Sequence, residues 1–336
     1  MVEEKKRIQW IDLAKGFCIL LVVLQHASEL TLVDYPLSVQ AFGFRMPLYF
    51  ILSGLFFKQY EGFIGFLKRK INKLLIPFLF FFFTTSVIPY WILLYPDELQ
   101  HMPYAFQYFY GYERVMFNGP IWFLFCLFEV NLLFYFVQWL SARLFTQHQT
   151  ALVLVLSCVI GFTGLTLGVL EVNIPFYLDT MLSVLPFFAF GWWLFRHSSI
   201  LTSPVNYKRD IPVAVACAVV LFFSAVPVKW LVNRIPVEGI AVVYLAGICG
   251  TMMVLLVAKM LGRLPLVSFW GRYSIIILCT HSLLIIVLNW FLGRYLSGSV
   301  LLFAVFVLTM FLCHLLLPLV KRYLPHVTAQ KDVIKV

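Results

Sequence analysis

Apolar side chains along this chain gather into runs of about 20 residues, roughly what a helix needs to cross ~30 Å of hydrocarbon. They do not alternate with polar residues in the short segments a β-barrel requires. The runs cover residues 10–30, 37–57, 71–95, 119–140, 150–170, 175–195, 211–229, 238–260, 273–292 and 299–320. They predict an all-α membrane protein, a bundle of about ten transmembrane helices. No Gly- or Ser-rich linker divides the chain, so residues 1–336 read as a single transmembrane domain. No internal repeat argues for a transporter built from two matching halves.

Composition fits that picture: 62% of residues are hydrophobic and 12% charged, with a mean hydropathy of +0.94. That is more apolar surface than one soluble core can hide. Charge then sets orientation. With the N-terminus in the cytoplasm, 19 of the 25 Lys and Arg residues fall inside, from Lys5-Lys6-Arg7 through Lys68, Arg69, Lys70 and Lys73 to Lys321, Arg322, Lys331 and Lys335. Arg114, Lys229, Arg234 and Arg294 fall outside. The positive-inside rule therefore predicts both termini cytoplasmic and an even number of spans. The net charge of +10 answers to this topology and to anionic membrane lipids, not to nucleic acid. Lys5-Lys6-Arg7 before an apolar run resembles the start of a signal peptide, but no small-residue cleavage site follows and Lys15 interrupts the run, so a retained first helix is expected. The seven cysteines lie inside apolar runs without CxxC spacing and read as packing residues. The polar stretch 96–118 carries Tyr104, Tyr108, Tyr110 and Tyr112, which suit an interfacial belt or the floor of a sugar site.

Ionisable groups inside a membrane are costly, so each one calls for a reason. The first predicted helix carries Asp12, Lys15, His26 and Glu29. Eleven residues separate Lys15 from His26, which is ~16 Å of rise and about three turns, so the two side chains share a face. Taken singly, Lys15 reads equally as a residue snorkelling to the interface beside Asp12, and His26 as half of an interhelical hydrogen bond. Lys68-Arg69-Lys70 with Lys73 reads either as ordinary anchoring at the inner face or as a cradle for a polyphosphate. Arg45, Ser53, Glu129, Asn131, His281 and His314 are further polar groups within apolar runs. No ligand spacing implies a metal.

Local sequences add a resemblance. Asp12-Leu13-Ala14-Lys15-Gly16 followed by Leu20-Leu21-Val22-Val23-Leu24-Gln25-His26 is similar to the signature of the acyltransferase 3 family, ten-helix membrane O-acyltransferases in which Arg or Lys precedes an essential His with ten residues between them. Met46-Pro47-Leu48-Tyr49-Phe50-Ile51-Leu52-Ser53-Gly54 resembles its second motif and Phe66 through Pro77 its basic third-helix motif. Gly119-Pro120-Ile121-Trp122-Phe123-Leu124 and Trp270-Gly271-Arg272-Tyr273-Ser274 through His281 resemble its fourth and ninth helices. The matches are collinear from residue 7 to 281. Where many members carry Arg, this chain has Lys15, Lys70 and Lys73, which keep the charge without the bidentate fork. The resemblance is to the short form without an appended periplasmic hydrolase-like domain, in the surface-glycan or fucose O-acetylase-like branch.

The resemblance implies an acyl-CoA-dependent O-acyltransferase in a bacterial cytoplasmic (inner) membrane, with acetyl-CoA the favoured donor. The acceptor would be an extracytoplasmic glycan or lipid-linked sugar. Lys15, Arg69, Lys70 and Lys73 would hold the donor, and His26 would act as general base or acyl carrier. Asp12 or Glu29 would orient the imidazole, and Arg45, Ser53, Trp122 or His281 would contact the acceptor or the thioester carbonyl. A polytopic transporter or flippase of a glycan or lipid-linked intermediate is the alternative. It would need a bundle and buried charges, but neither a basic mouth aligned with one His nor acyl-CoA.

Overall fold

The computed structural model describes residues 8–60, 62–88 and 118–335. Within them the chain forms α1 (Gln9–Thr31), α2 (Ser38–Leu55), α3 (Phe63–Val87), α4 (Gly119–Leu144), α5 (Gln149–Val169) and α6 (Pro175–His197). It continues as α7 (Tyr207–Ser224), α8 (Gly239–Leu261), α9 (Pro265–Arg272), α10 (Ser274–Leu292) and α11 (Gly298–Tyr323). Eight of these, all but α2, α7 and α9, are long and apolar enough to cross a membrane. The two remaining expected spans fall on α2 and α7, each of 18 residues. The fold is an all-helical membrane bundle.

Helix boundaries follow local chemistry. Gly262, at φ 71°, closes α8, and Pro265 opens α9 with a ring already set for the first turn. α3 starts at Phe63 rather than near 71, because its first turns bury Phe66 while presenting Lys68, Arg69 and Lys70 elsewhere. That amphipathic opening hides in a hydropathy average. The expected end of this span near 95, the tyrosine-bearing stretch and Lys5-Lys6-Arg7 lie outside the described residues.

α1 sits at the centre, packed against α2, α8, α9, α10 and α11. Its Leu13, Ala14, Cys18, Ile19, Val23 and Ala27 are fully buried. A helix enclosed on so many sides can hold polar groups away from lipid, which is where membrane proteins keep their functional ones. α2 and α6 touch backbone to backbone: a methyl added at Gly54 would strike the carbonyl of Phe188, and one at Gly191 that of Ile51. Small residues of this kind let membrane helices approach where apolar burial alone gives no drive.

A buried ion pair ties α8 to α7. Lys259 donates to Asp210 Oδ2 at 3.2 Å and to the Ile200 carbonyl at 2.7 Å, and Arg209 donates to Asp210 Oδ1 at 2.8 Å. Lys259, one of the 19 cations counted on the cytoplasmic side, is 5% exposed. Asp210→Asn leaves that ammonium buried without its counter-charge, at a cost of about 3–5 kcal/mol. Thermal unfolding in detergent should show a clear fall in Tm; an unchanged Tm would make the pair dispensable.

Candidate functional site

The site has two ends joined by α1. At the basic end, a cavity of about 440 Å³ opens between α1, α2, α3, α4 and α10. Lys15 from α1 and Arg69, Lys70 and Lys73 from α3 all line it, with Tyr49, Ser53 and Asn131. This is within the range of small-molecule sites. α3 widens into a π-turn over Ile71–Leu75, an irregularity that often marks function. There Asn72 is buried at 1% exposure while Lys73 reaches the cavity. Tyr49 Oη donates to the Lys15 carbonyl at 3.4 Å, and the Arg69 guanidinium lies over the Tyr60 ring at 4.4 Å.

Residues after α11 fold back onto this end. Asn72 Nδ2 donates to the Ile334 carbonyl at 2.7 Å, and its Oδ1 accepts from the amides of Val333 and Ile334, both at 2.9 Å. Lys73 Nζ donates to the Ala329 carbonyl at 2.9 Å and pairs with Asp332 at 2.8 Å. Ala329 is itself part of the cavity wall.

At the other end, His26 Nδ1 lies 3.0 Å from Glu29 Oε2. A carboxylate can only accept, so Nδ1 donates this bond, and a neutral imidazole held this way has its lone pair on Nε2. Glu29 Oε1 accepts from Gln25 Nε2 at 2.9 Å, and Gln25 Oε1 accepts from Tyr35 Oη at 2.9 Å. The His281 ring stands 5.3 Å from that of His26, centroid to centroid. His281 Nδ1 donates to the Ile277 carbonyl at 2.7 Å, which leaves Nε2 as a buried acceptor with no partner among the described residues. Asn118 steadies this helix: its Nδ2 donates to the Cys279 carbonyl and to Thr85 Oγ1, both at 2.8 Å. The ends are linked through α10 as well as α1. Leu278 lines the cavity, and His281 is one turn, ~4.5 Å, further along.

The expected site residues therefore divide. Lys15, Arg69, Lys70, Lys73 and Ser53 meet in one cavity; His26, Glu29 and His281 meet at the other end, with Arg45 close enough to interact with Glu29 and Tyr35. Asp12 belongs with neither, and its expected role as an orienting carboxylate is corrected. It lines a separate cavity with Arg263, Ser268 and Arg272, and fourteen residues of helix, ~21 Å, separate it from His26. Trp122 packs on Tyr177 at 5.9 Å. Gln25, Tyr35, Asn72 and Asn118 were not foreseen. The steps of three and four residues from His26 and Gln25 to Glu29 lie within one helix; the contacts of Tyr35, Asn72 and Asn118 join distant parts of the chain.

A membrane-crossing helical bundle with a basic cavity at one end of a central helix and a carboxylate-held imidazole at the other defines a multi-pass membrane protein with the parts of an enzyme. Residues 8–317 match the family model described as an acyltransferase domain. The chain belongs to this acyltransferase family, the acyltransferase 3 family, and is a membrane acyltransferase. None of the curated proteins and none of the solved structures compared matches it.

Proposed function

We propose that the protein transfers an acyl group, acetyl in the first instance, from cytoplasmic acyl-CoA through the bundle to a hydroxyl of an extracytoplasmic or lipid-linked glycan in a bacterial inner membrane. The observation that carries this reading is the single cavity lined by Lys15, Arg69, Lys70 and Lys73 below the His26–Glu29 pair. Four cations suit the phosphates of a coenzyme A thioester. The ~16 Å rise from Lys15 to His26 is comparable with the reach of its pantetheine arm. The charge asymmetry of the sequence supports a cytoplasmic basic end.

His26 then serves as general base. Its Nε2 takes the proton of the acceptor hydroxyl as that oxygen attacks the thioester carbon, and Glu29 steadies the imidazolium that forms. The carbon–sulfur bond breaks, and the proton passes from Nε2 to the departing thiolate. The product is an ester and free coenzyme A. The His281 ring stands beside that of His26, and Arg45 interacts with Glu29. Tyr49 and Ser53 line the basic cavity with the four cations.

Binding of acetyl-CoA to the purified protein tests the donor half. Micromolar binding that weakens as salt is raised is expected, since the contacts are charge-assisted. A protein that binds no acetyl-CoA would overturn the reading in favour of a transporter. Glu29→Gln should leave that binding unchanged and slow transfer by about 10- to 100-fold, because the carboxylate holds the imidazole and does not line the basic cavity. Acetate released by mild alkali from envelope glycans measures the second effect.

A further inference from the structure

We propose that Gln25 and Tyr35 are positioning residues for the His26–Glu29 pair. The proposal rests on His26 acting as the base. Glu29 uses both oxygens within α1, Oε2 toward His26 and Oε1 toward Gln25. An amide can present either its oxygen or its nitrogen, and the Tyr35 hydroxyl decides which: by donating to Oε1 it leaves Nε2 to face Glu29. Gln25 is 4% exposed, so this order is held away from water. The link carrying Tyr35 is itself held tightly. Leu32 and Leu37 on either side adopt left-handed backbone, at φ 57° and 62°, and Ser28 Oγ donates to the Val33 carbonyl at 2.7 Å. The chain is turned back so that a hydroxyl from outside α1 locks a side chain within it. The charged and titratable groups around His26 are Glu29 on its own helix, His281 from α10, and Arg45 from α2 beside Glu29 and Tyr35.

Tyr35→Phe removes only the hydroxyl and should lower kcat about fivefold without changing KM for acetyl-CoA; Gln25→Leu should lower it tenfold or more. Gln25→Glu places a second carboxylate beside Glu29. That favours protonated His26, so the acidic limb of the pH–rate profile moves to higher pH. A role in folding alone would not move that limb. The assay is acetate transfer from acetyl-CoA to an envelope-glycan extract, with retained acetyl-CoA binding showing that each variant is folded. Wild-type rates and an unmoved limb in Tyr35→Phe and Gln25→Glu, with His26→Ala inactive, would overturn the relay and leave the base in place. An active His26→Ala would overturn both.

A separate observation carries a second proposal. We infer that the segment after α11 competes with the donor: Asp332 holds Lys73 until a phosphate takes its place. The segment is clasped by the three bonds of Asn72, and its Ala329 forms cavity wall. Both partners of the Lys73–Asp332 pair are partly exposed, at 43% and 39%, so the pair is weak and exchangeable. A ligand whose phosphate reaches Lys73 must displace the carboxylate; one without phosphates need not. Asp332→Asn should therefore tighten acetyl-CoA binding about two- to fivefold and leave acetylpantetheine binding unchanged. Asn72→Ala, which releases the segment, should act in the same direction. Unchanged or weaker acetyl-CoA binding, or an equal gain for both ligands, would overturn the competition. A wild-type protein that binds no acetyl-CoA would overturn the donor site with it.

Discussion

His26→Ala is expected to abolish acyl transfer in a protein that still inserts and still binds acetyl-CoA. A positioned general base contributes about 10²–10⁴-fold to such a reaction. The neighbouring imidazole, His281, is oriented by the Ile277 carbonyl and not by a carboxylate, so it is not expected to replace His26. The variant should lose at least two orders of magnitude in kcat and little in donor affinity, since His26 does not line the basic cavity. Alkali-labile acetate on envelope glycans of cells carrying the variant gives the transfer rate, and equilibrium binding in detergent gives the affinity. Loss of both together would mean that the substitution disturbs the bundle and not the chemistry.

Replacing Lys15 and Lys70 by Met has the opposite signature. Each ammonium is expected to make a charge-assisted contact to a donor phosphate, which contributes about 1.5–3 kcal/mol. Each loss should then raise KM for acetyl-CoA about tenfold or more, with kcat at saturation much less affected. Met keeps the length and apolar stem of Lys, so the helix faces stay filled. Lys73→Met should do less than either, because its charge is already shared with Asp332 and the Ala329 carbonyl. Equal effects at all three positions would point to general anchoring by positive charge.

The architecture was legible to the extent that it depends on runs. A helix long enough to cross a bilayer leaves an apolar stretch whatever it packs against, so the expected spans fall on helices from α1 to α11. α9 escaped because eight amphipathic residues leave no such stretch. The opening of α3 escaped because Lys68, Arg69 and Lys70 interrupt the average there. Lys259 shows what charge counting leaves out: the partner that lets it be buried, Asp210, comes from another helix.

The site was legible where one helix carries it. Lys15 and His26 share a face because of their spacing, and Glu29 follows His26 by three residues, a distance at which side chains meet. Asp12 has the same chemistry at the wrong end of the helix. Tyr35 over Gln25, Asn118 over Cys279 and the return of residues 329–334 to Asn72 and Lys73 are contacts between parts of the chain that no periodicity links. They depend on backbone geometry, on the left-handed residues flanking Tyr35 and the π-turn that carries Asn72.

The central claim is that donor and acceptor meet from opposite sides of the membrane along α1. Its most direct test is vectorial transfer in proteoliposomes. Labelled acetyl-CoA is supplied on the side of the Lys15 cavity, and acetyl ester is measured on glycan held on the other. Label should cross as ester with wild-type protein, fail to cross with His26→Ala, and saturate at higher acetyl-CoA with Lys15→Met. Ester formed only when donor and glycan share one side, or formed at the wild-type rate by His26→Ala, would contradict the account.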